Sequence, residues 1–311
     1  MRAKLTVFVF LIALGALFQT TVQAQEQEDV RGAFMTTRPQ VTGGASGVKS
    51  TPSAKPNRRR PKPVASGGTG EVVKHDPNPA KDIPDKVNVP RMGLGLTLFM
   101  RDSNGLAVRT DPAHEFRKGD HVRFLIETNA DGYLYVFNTT DGGQPIMIYP
   151  DPELDEAGNY FQAHVPFEIP SSVAAEERLR WLTFDEHAGA EKLYFVFTRE
   201  PLTAVPIEDD LITYCRENNG KCPWRPVTDV WSHIQKEMNE PVKVARASRQ
   251  GSAETSAEHR AVTRGIGLNR DDPEPALIML TASTTKNILV AAVDLIHKAA
   301  SLSASPSDDA Q

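Results

Sequence analysis

The sequence predicts a mainly β protein, an antiparallel β-sandwich or barrel-like domain with a short inserted helical segment. Three observations predict it. After Met92 apolar and polar residues alternate with a period of two, the pattern of strands that bury one face. The alternating runs are short and separated by Gly, Asp, Asn and Pro, as in sandwiches and barrels rather than strand–helix–strand units. Helical spacing is clear only in one stretch, about 206–240.

The elements follow in order. Leu94, Leu96 and Leu98 alternate with Gly93, Gly95 and Thr97 in the first strand. Val122 to Thr128, Tyr133 to Asn138 and Gln144 to Tyr149 come next, the last two joined by a loop in which Asp141-Gly142-Gly143 supplies positive-φ residues for a hairpin. Phe161, Ala163, Val165, Phe167 and Ile169 form one apolar face, and Leu179 to Phe184 and Leu193 to Thr198 continue the series. Asp209 to Glu217 and Thr228 to Met238 read as helices, the second capped by Thr228, with Val227, Val230, Trp231, Ile234 and Met238 on one face and the Trp231 stripe as core packing. Pro241 to Arg264 is polar and reads as a mobile linker. Ala276 to Ala282 and Asn287 to His297, within 268–298, read as a closing hairpin, although the last run also fits a helix on periodicity alone.

Before this domain of residues 92–300 the chain has a different character. Residues 1–24 have the three parts of a secretory signal: Arg2 and Lys4, an apolar stretch from Leu5 to Phe18, and Val22-Gln23-Ala24 as a small-residue cleavage site. About 14 apolar residues span only about 21 Å as a helix, short of a bilayer core of about 30 Å, so a cleaved leader fits better than an anchor. Residues 25–91 predict a disordered, basic, proline-rich linker: between Arg38 and Arg91 there are nine prolines and no aromatic residue or leucine. Residues 301–311 read as a disordered tail.

Charge is split the same way. Residues 38–91 hold 11 basic and 4 acidic residues, net +7, whereas residues 92–311 hold 21 basic and 33 acidic, net −12. An acidic body argues against nucleic acid as a partner. In the arm, Arg58, Arg59, Arg60 and Lys62 could tether the protein to an anionic envelope polymer or lipid surface, with a solvated spacer as the alternative. The only two cysteines, Cys215 and Cys222, are close in sequence and lack nearby metal-binding partners, so an oxidising, extracytoplasmic compartment would join them in a disulfide.

Three pieces of the chain together carry a resemblance: Gly93 to Phe99; Asp131-Gly132-Tyr133-Leu134-Tyr135-Val136 with Ile148-Tyr149-Pro150; and Leu193 to Pro201, ending Arg199-Glu200-Pro201. They resemble the bacterial family called domain of unknown function 4384, over about 92–202. Phe116 to Phe124, with Gly119-Asp120, looks like the family's second hairpin. The resemblance implies a secreted or envelope-associated β module. It brings no functional residues with it.

The residues give no catalytic or cofactor constellation: the histidines lack metal-ligand spacing, and neither a nucleophile elbow nor a phosphate loop is present. Asp151, Glu153 and Asp155, with Glu156, offer a weak calcium site that lacks the full Asp-x-Asp-x-Asp-Gly pattern, a solvated acidic turn being the alternative. Tyr133, Tyr135 and Tyr149 would form a ligand platform if they faced outward, and core if inward. The resulting expectation is an exported non-enzymatic interaction module, binding a protein or envelope polymer and without a membrane span after leader cleavage. The alternatives are an extracytoplasmic hydrolase with a site assembled from scattered residues, and a structural envelope component held by its basic arm.

Overall fold

The structure, a computed structural model, describes residues 24–40, 58–60, 90–154, 157–219, 222, 224–247 and 249–299. A helix, α1, spans residues 24–35. There follow β1 (Gly93–Arg101), β2 (Ala107–Arg109), β3 (Glu115–Phe116), β4 (His121–Thr128), β5 (Gly132–Thr140), β6 (Ile146–Tyr149), β7 (Tyr160–Phe161) and β8 (Phe167–Ile169). A 3-10 turn at Glu177–Leu179 precedes β9 (Leu182–Thr183) and β10 (Gly189–Thr198). Then come α2 (Glu208–Glu217), α3 (Thr228–Met238), β11 (Val242–Arg246), α4 (Ser256–Arg264), β12 (Leu277–Thr281) and β13 (Ile288–His297).

The strands form two sheets. One has the order β11-β12-β1-β4-β8, with β2 beside β1 and β9 beside β4; the other has the order β3-β13-β10-β5-β6, with β7 beside β5. Alternation explains the packing. Leu94, Leu96, Leu98, Phe124 and Ile126 of the first sheet meet Leu134, Val136, Phe195, Phe197 and Leu289 of the second in one core. Each such side chain contributes roughly 1.5–3 kcal/mol by leaving water. The intervening residues of the second sheet, Tyr135, Phe137, Tyr194 and Val196, pack outward against Leu211 of α2 and Ile234 and Trp231 of α3. The helical insert is therefore the lid of a second apolar layer.

The outer face of the first sheet is covered by segments whose composition predicts linkers. Helix α1 lies inside the expected disordered region 25–91, yet Val30 and Phe34, four residues apart on one helical face, are buried on Ala245, Ile278 and Leu280. Phe34 fits because of glycine: a Cβ on Gly93 would approach its ring to 2.8 Å. Just beyond α1, Arg38 is buried, with Nε and Nη2 donating to the Glu127 carboxylate at 2.8 and 2.6 Å and Nη1 donating to the carbonyls of Asn269 and Asp272. His164 closes the group, its Nδ1 2.7 Å from Glu127 and its Nε2 2.9 Å from the Thr37 hydroxyl.

Region 241–264, expected to be mobile, supplies β11 and α4. Helix α4 is specified locally: Thr255 and Glu258 form a capping box, and Gly265 ends the helix at φ +59°. Glu258 then pairs with Arg109 where both side chains are buried. Beside that pair, the Arg123 guanidinium contacts Glu168 and Glu254, each at 2.9 Å, and stacks 4.3 Å from the ring of Trp181.

Three further expectations are corrected. The closing pair 268–298 is not a hairpin: the last segment is a strand, β13, but β12 pairs with β1 and β11 while β13 pairs with β10 and β3, so Ser283 to Lys286 carries the chain between sheets. The apolar run Phe161 to Ile169 also crosses. Phe161 pairs with β5 and Phe167–Ile169 with β4, and the chain turns at His164, φ +60°. Finally, Val227 occupies the N-cap of α3, exposed rather than on its apolar face, and Thr228 is the first helical residue. The leader cleavage site apart from Ala24, the tail 301–311, and most of the arm lie outside the described residues.

Candidate functional site

The two sheets end side by side at β6 and β8, and there the outward-turned chain leaves a cleft of about 630 Å³. Its size lies within the roughly 300–1,000 Å³ usual for ligand sites. One wall is β6, Ile146, Met147 and Ile148, continuing through Pro150 to Leu154. Another is Ile169 and Pro170 with Leu179, Trp181 and Leu182. Pro150 and Pro170 follow cis peptide bonds, Tyr149-Pro150 and Ile169-Pro170. The third wall is Leu211 and Cys215 of α2 with Cys222 and Trp224.

Local chemistry holds these walls. Cys215 and Cys222 are joined by a disulfide, Cα atoms 5.5 Å apart, which pins the loop after α2 to the helix. That loop then docks on the sheet edge, where the Met147 N–H donates to the Trp224 carbonyl at 2.8 Å. On the opposite wall the Arg123 guanidinium lies over Trp181 and fixes the plane of its ring.

Polar groups gather at the entrance. Glu153 and Arg178 are exposed and pair at 3.1 Å, and Glu176 also accepts from Arg178. Asp151 is half-buried; burial pushes its carboxyl above the usual range, although one oxygen accepts from the Glu153 N–H at 2.8 Å. Of the calcium candidates, Asp151 and Glu153 thus line the cleft, with Glu153 engaged by an arginine, while Asp155 lies outside the described residues. Among the described residues no three His, Cys, Asp or Glu side chains are grouped to hold a metal ion.

The tyrosine platform is not formed. Tyr133, Tyr135 and Tyr149 are 6, 0 and 0 % exposed, the first two in the layer beneath α2 and α3 and the third in the inter-sheet core. They are placed this way because Tyr133 and Tyr135 share one face of β5, whereas Tyr149 lies on the inward face of β6 and donates its hydroxyl to the Gly158 carbonyl at 3.0 Å. The aromatic surfaces in the cleft are instead Trp181 and Trp224, which lie 43 positions apart in the sequence and carry no signal of their meeting.

Of the tether candidates, Arg58 is buried in the domain, whereas Arg59 is half-buried and Arg60 exposed at its surface. Arg58 is 2 % exposed, its guanidinium 4.3 Å from the Phe161 ring centre and 4.7 Å from that of Phe167, and its carbonyl accepts from the Tyr160 N–H at 2.7 Å. Gly158 permits this close approach, since a Cβ there would meet the Arg58 backbone at 2.5 Å. Arg59 pairs with Asp209 at 2.8 Å and the Arg60 N–H donates to Glu208, both at the start of α2. Lys62 lies outside the described residues. The Arg58 guanidinium thereby gains cation–π contacts with two aromatic faces at the end of the core.

Residues 115–201 match the family described as Domain of unknown function (DUF4384), in agreement with the resemblance of Asp131–Val136, Ile148–Pro150 and Arg199–Pro201. No curated protein and no solved structure matches the chain. The matched stretch supplies two walls of the cleft, while the disulfide-bearing third wall, Leu211 to Trp224, lies beyond it.

Proposed function

We propose that this chain, with its match to domain of unknown function 4384 over residues 115–201, is an exported, non-enzymatic interaction module that holds an extended apolar segment of a partner protein in the cleft between β6, β8 and α2. The observation that carries the reading is the cleft's composition. Aliphatic side chains, three prolines and two tryptophans form its walls, and the charged groups Asp151, Glu153 and Arg178 stand at its entrance. Such walls bind by removing apolar surface from water, and the polar entrance fixes the register of a peptide backbone. A protein segment suits these walls better than a sugar polymer, whose hydroxyls would lose water against the aliphatic residues without gaining partners.

Export is supported by the disulfide and by the leader-like residues 1–24. Among the described residues no helix is long and apolar enough to cross a membrane.

The test is affinity selection from a random peptide library, followed by titration of the selected peptides with tryptophan fluorescence as the readout. Apolar, proline-containing peptides are expected to bind and to shift the emission. Leu179→Asp, at a half-buried position of the cleft wall, should weaken them at least tenfold without lowering the melting temperature. Selected peptides that bind Leu179→Asp as well as the parent would remove the cleft from the proposal.

A further inference from the structure

A second cavity, of about 390 Å³, opens at the other end of the strand order, between the β11–β12 edge and β13. Its depth is part of the inter-sheet core: Leu96, Leu98, Phe124, Leu277 and Val293. Its mouth is basic. Arg246 pairs directly opposite Leu277, so both side chains rise from the inner face of the sheet, and Arg249 follows on the adjoining loop. Both arginines are exposed, and neither has a carboxylate partner among the described residues.

The other charges at this mouth are already engaged. Arg109 is committed to Glu258, and the Asp111 carboxylate accepts from the Ala113 N–H at 2.8 Å and from the Gln250 amide. Counting these groups, the mouth keeps a net charge of +1 over an apolar shaft. On β11, Val244 lies on the same face as Arg246 and is 39 % exposed, outside the cavity lining. An apolar depth with a cationic rim is complementary to one kind of molecule, an alkyl chain ending in an anionic head.

We propose that this cavity is a binding site for a free single-chain amphiphile with a carboxylate or similar anionic head, its chain between the sheets and its head on Arg246 and Arg249. This site is separate from the peptide cleft, so either reading can fail alone. The alternative is that an inward-pointing arginine at a sheet edge only prevents pairing with another strand.

Calorimetric titration of the purified exported chain with hexanoate, octanoate and decanoate, all below their micelle concentrations, tests it. Affinity should rise about fourfold per added methylene. Arg246→Gln with Arg249→Gln should weaken decanoate about tenfold or more while leaving decanol and the melting temperature unchanged. Leu179→Asp should leave decanoate binding unchanged. Equal affinity for decanoate and decanol, indifference to the double substitution, loss of decanoate in Leu179→Asp, or capture by anionic vesicles without binding of monomeric decanoate would each overturn the proposal.

Discussion

At the scale of single residues, one guanidinium carries unusual responsibility. Arg123 faces two carboxylates and stacks on a tryptophan of the cleft wall, so neither Glu168 nor Glu254 has the cation to itself. Burial therefore prevails over Arg123 at Glu168 and pushes its carboxyl up to about 7, with Glu254 adding to the effect. Because the folded value lies above that of the unfolded chain, about 4.3, the folded state binds the extra proton between these values, and stability falls as pH rises from about 4.3 to 7. Glu168→Gln should flatten that part of the stability curve, removing a change on the order of 3 kcal/mol. Urea midpoints measured from pH 4 to 8 for both proteins check it, and parallel curves would refute it.

Among the elements, the strands and helices with strong periodicity were readable and the covering pieces were not. Helices α2 and α3 stand almost where the spacing of apolar residues puts them, because each lays one apolar face on Tyr135, Phe137 and their neighbours. Strand β11 and helix α4 are short and polar, so they resemble a solvated linker; their order comes from pairing with β12 and from the buried Arg109–Glu258 pair. The Thr255-x-x-Glu258 cap and the closing Gly265 are the local signs of α4 in the sequence. Strand partners were harder still, since β12 and β13 have the look of a hairpin and yet each finds a better-buried neighbour in a different sheet. The disulfide belongs to this scale because it fastens one loop to one helix. Replacing both Cys215 and Cys222 with Ser should cost about 2–3 kcal/mol in chemical denaturation. The same change should weaken cleft-bound peptide, since it frees the wall bearing Trp224.

For the molecule as a whole, the fold class was legible because alternation fixes which side chains share a face, and two such faces make a sandwich. The cleft was not: its walls come from 146–154, 169–182 and 211–224, and only the folded chain brings them together. Nor did composition reveal that Arg38, in a stretch poor in apolar residues, is a structural residue. Its side chain is fully buried against Glu127, and removing it leaves a carboxylate whose side chain is 3 % exposed with only His164 paired to it among the described residues. Arg38→Met should therefore destabilise the protein by about 3–5 kcal/mol, read from urea unfolding. A loss under 1 kcal/mol would mean that the N-terminal segment is not held as described.

The attachment of Arg38 also sets a timetable. Its carbonyl acceptors are Asn269 and Asp272, more than 230 positions later, and the surface that receives Phe34 includes Ile278 and Leu280. During synthesis Glu127 and His164 become available to this segment midway along the chain, but the surface that seats Val30 and Phe34 is complete only once Ile278 and Leu280 arrive. Closing so long a loop is slow as well as entropically costly, so the outer face of the first sheet would be sealed late in folding, after the sheet that receives it has formed.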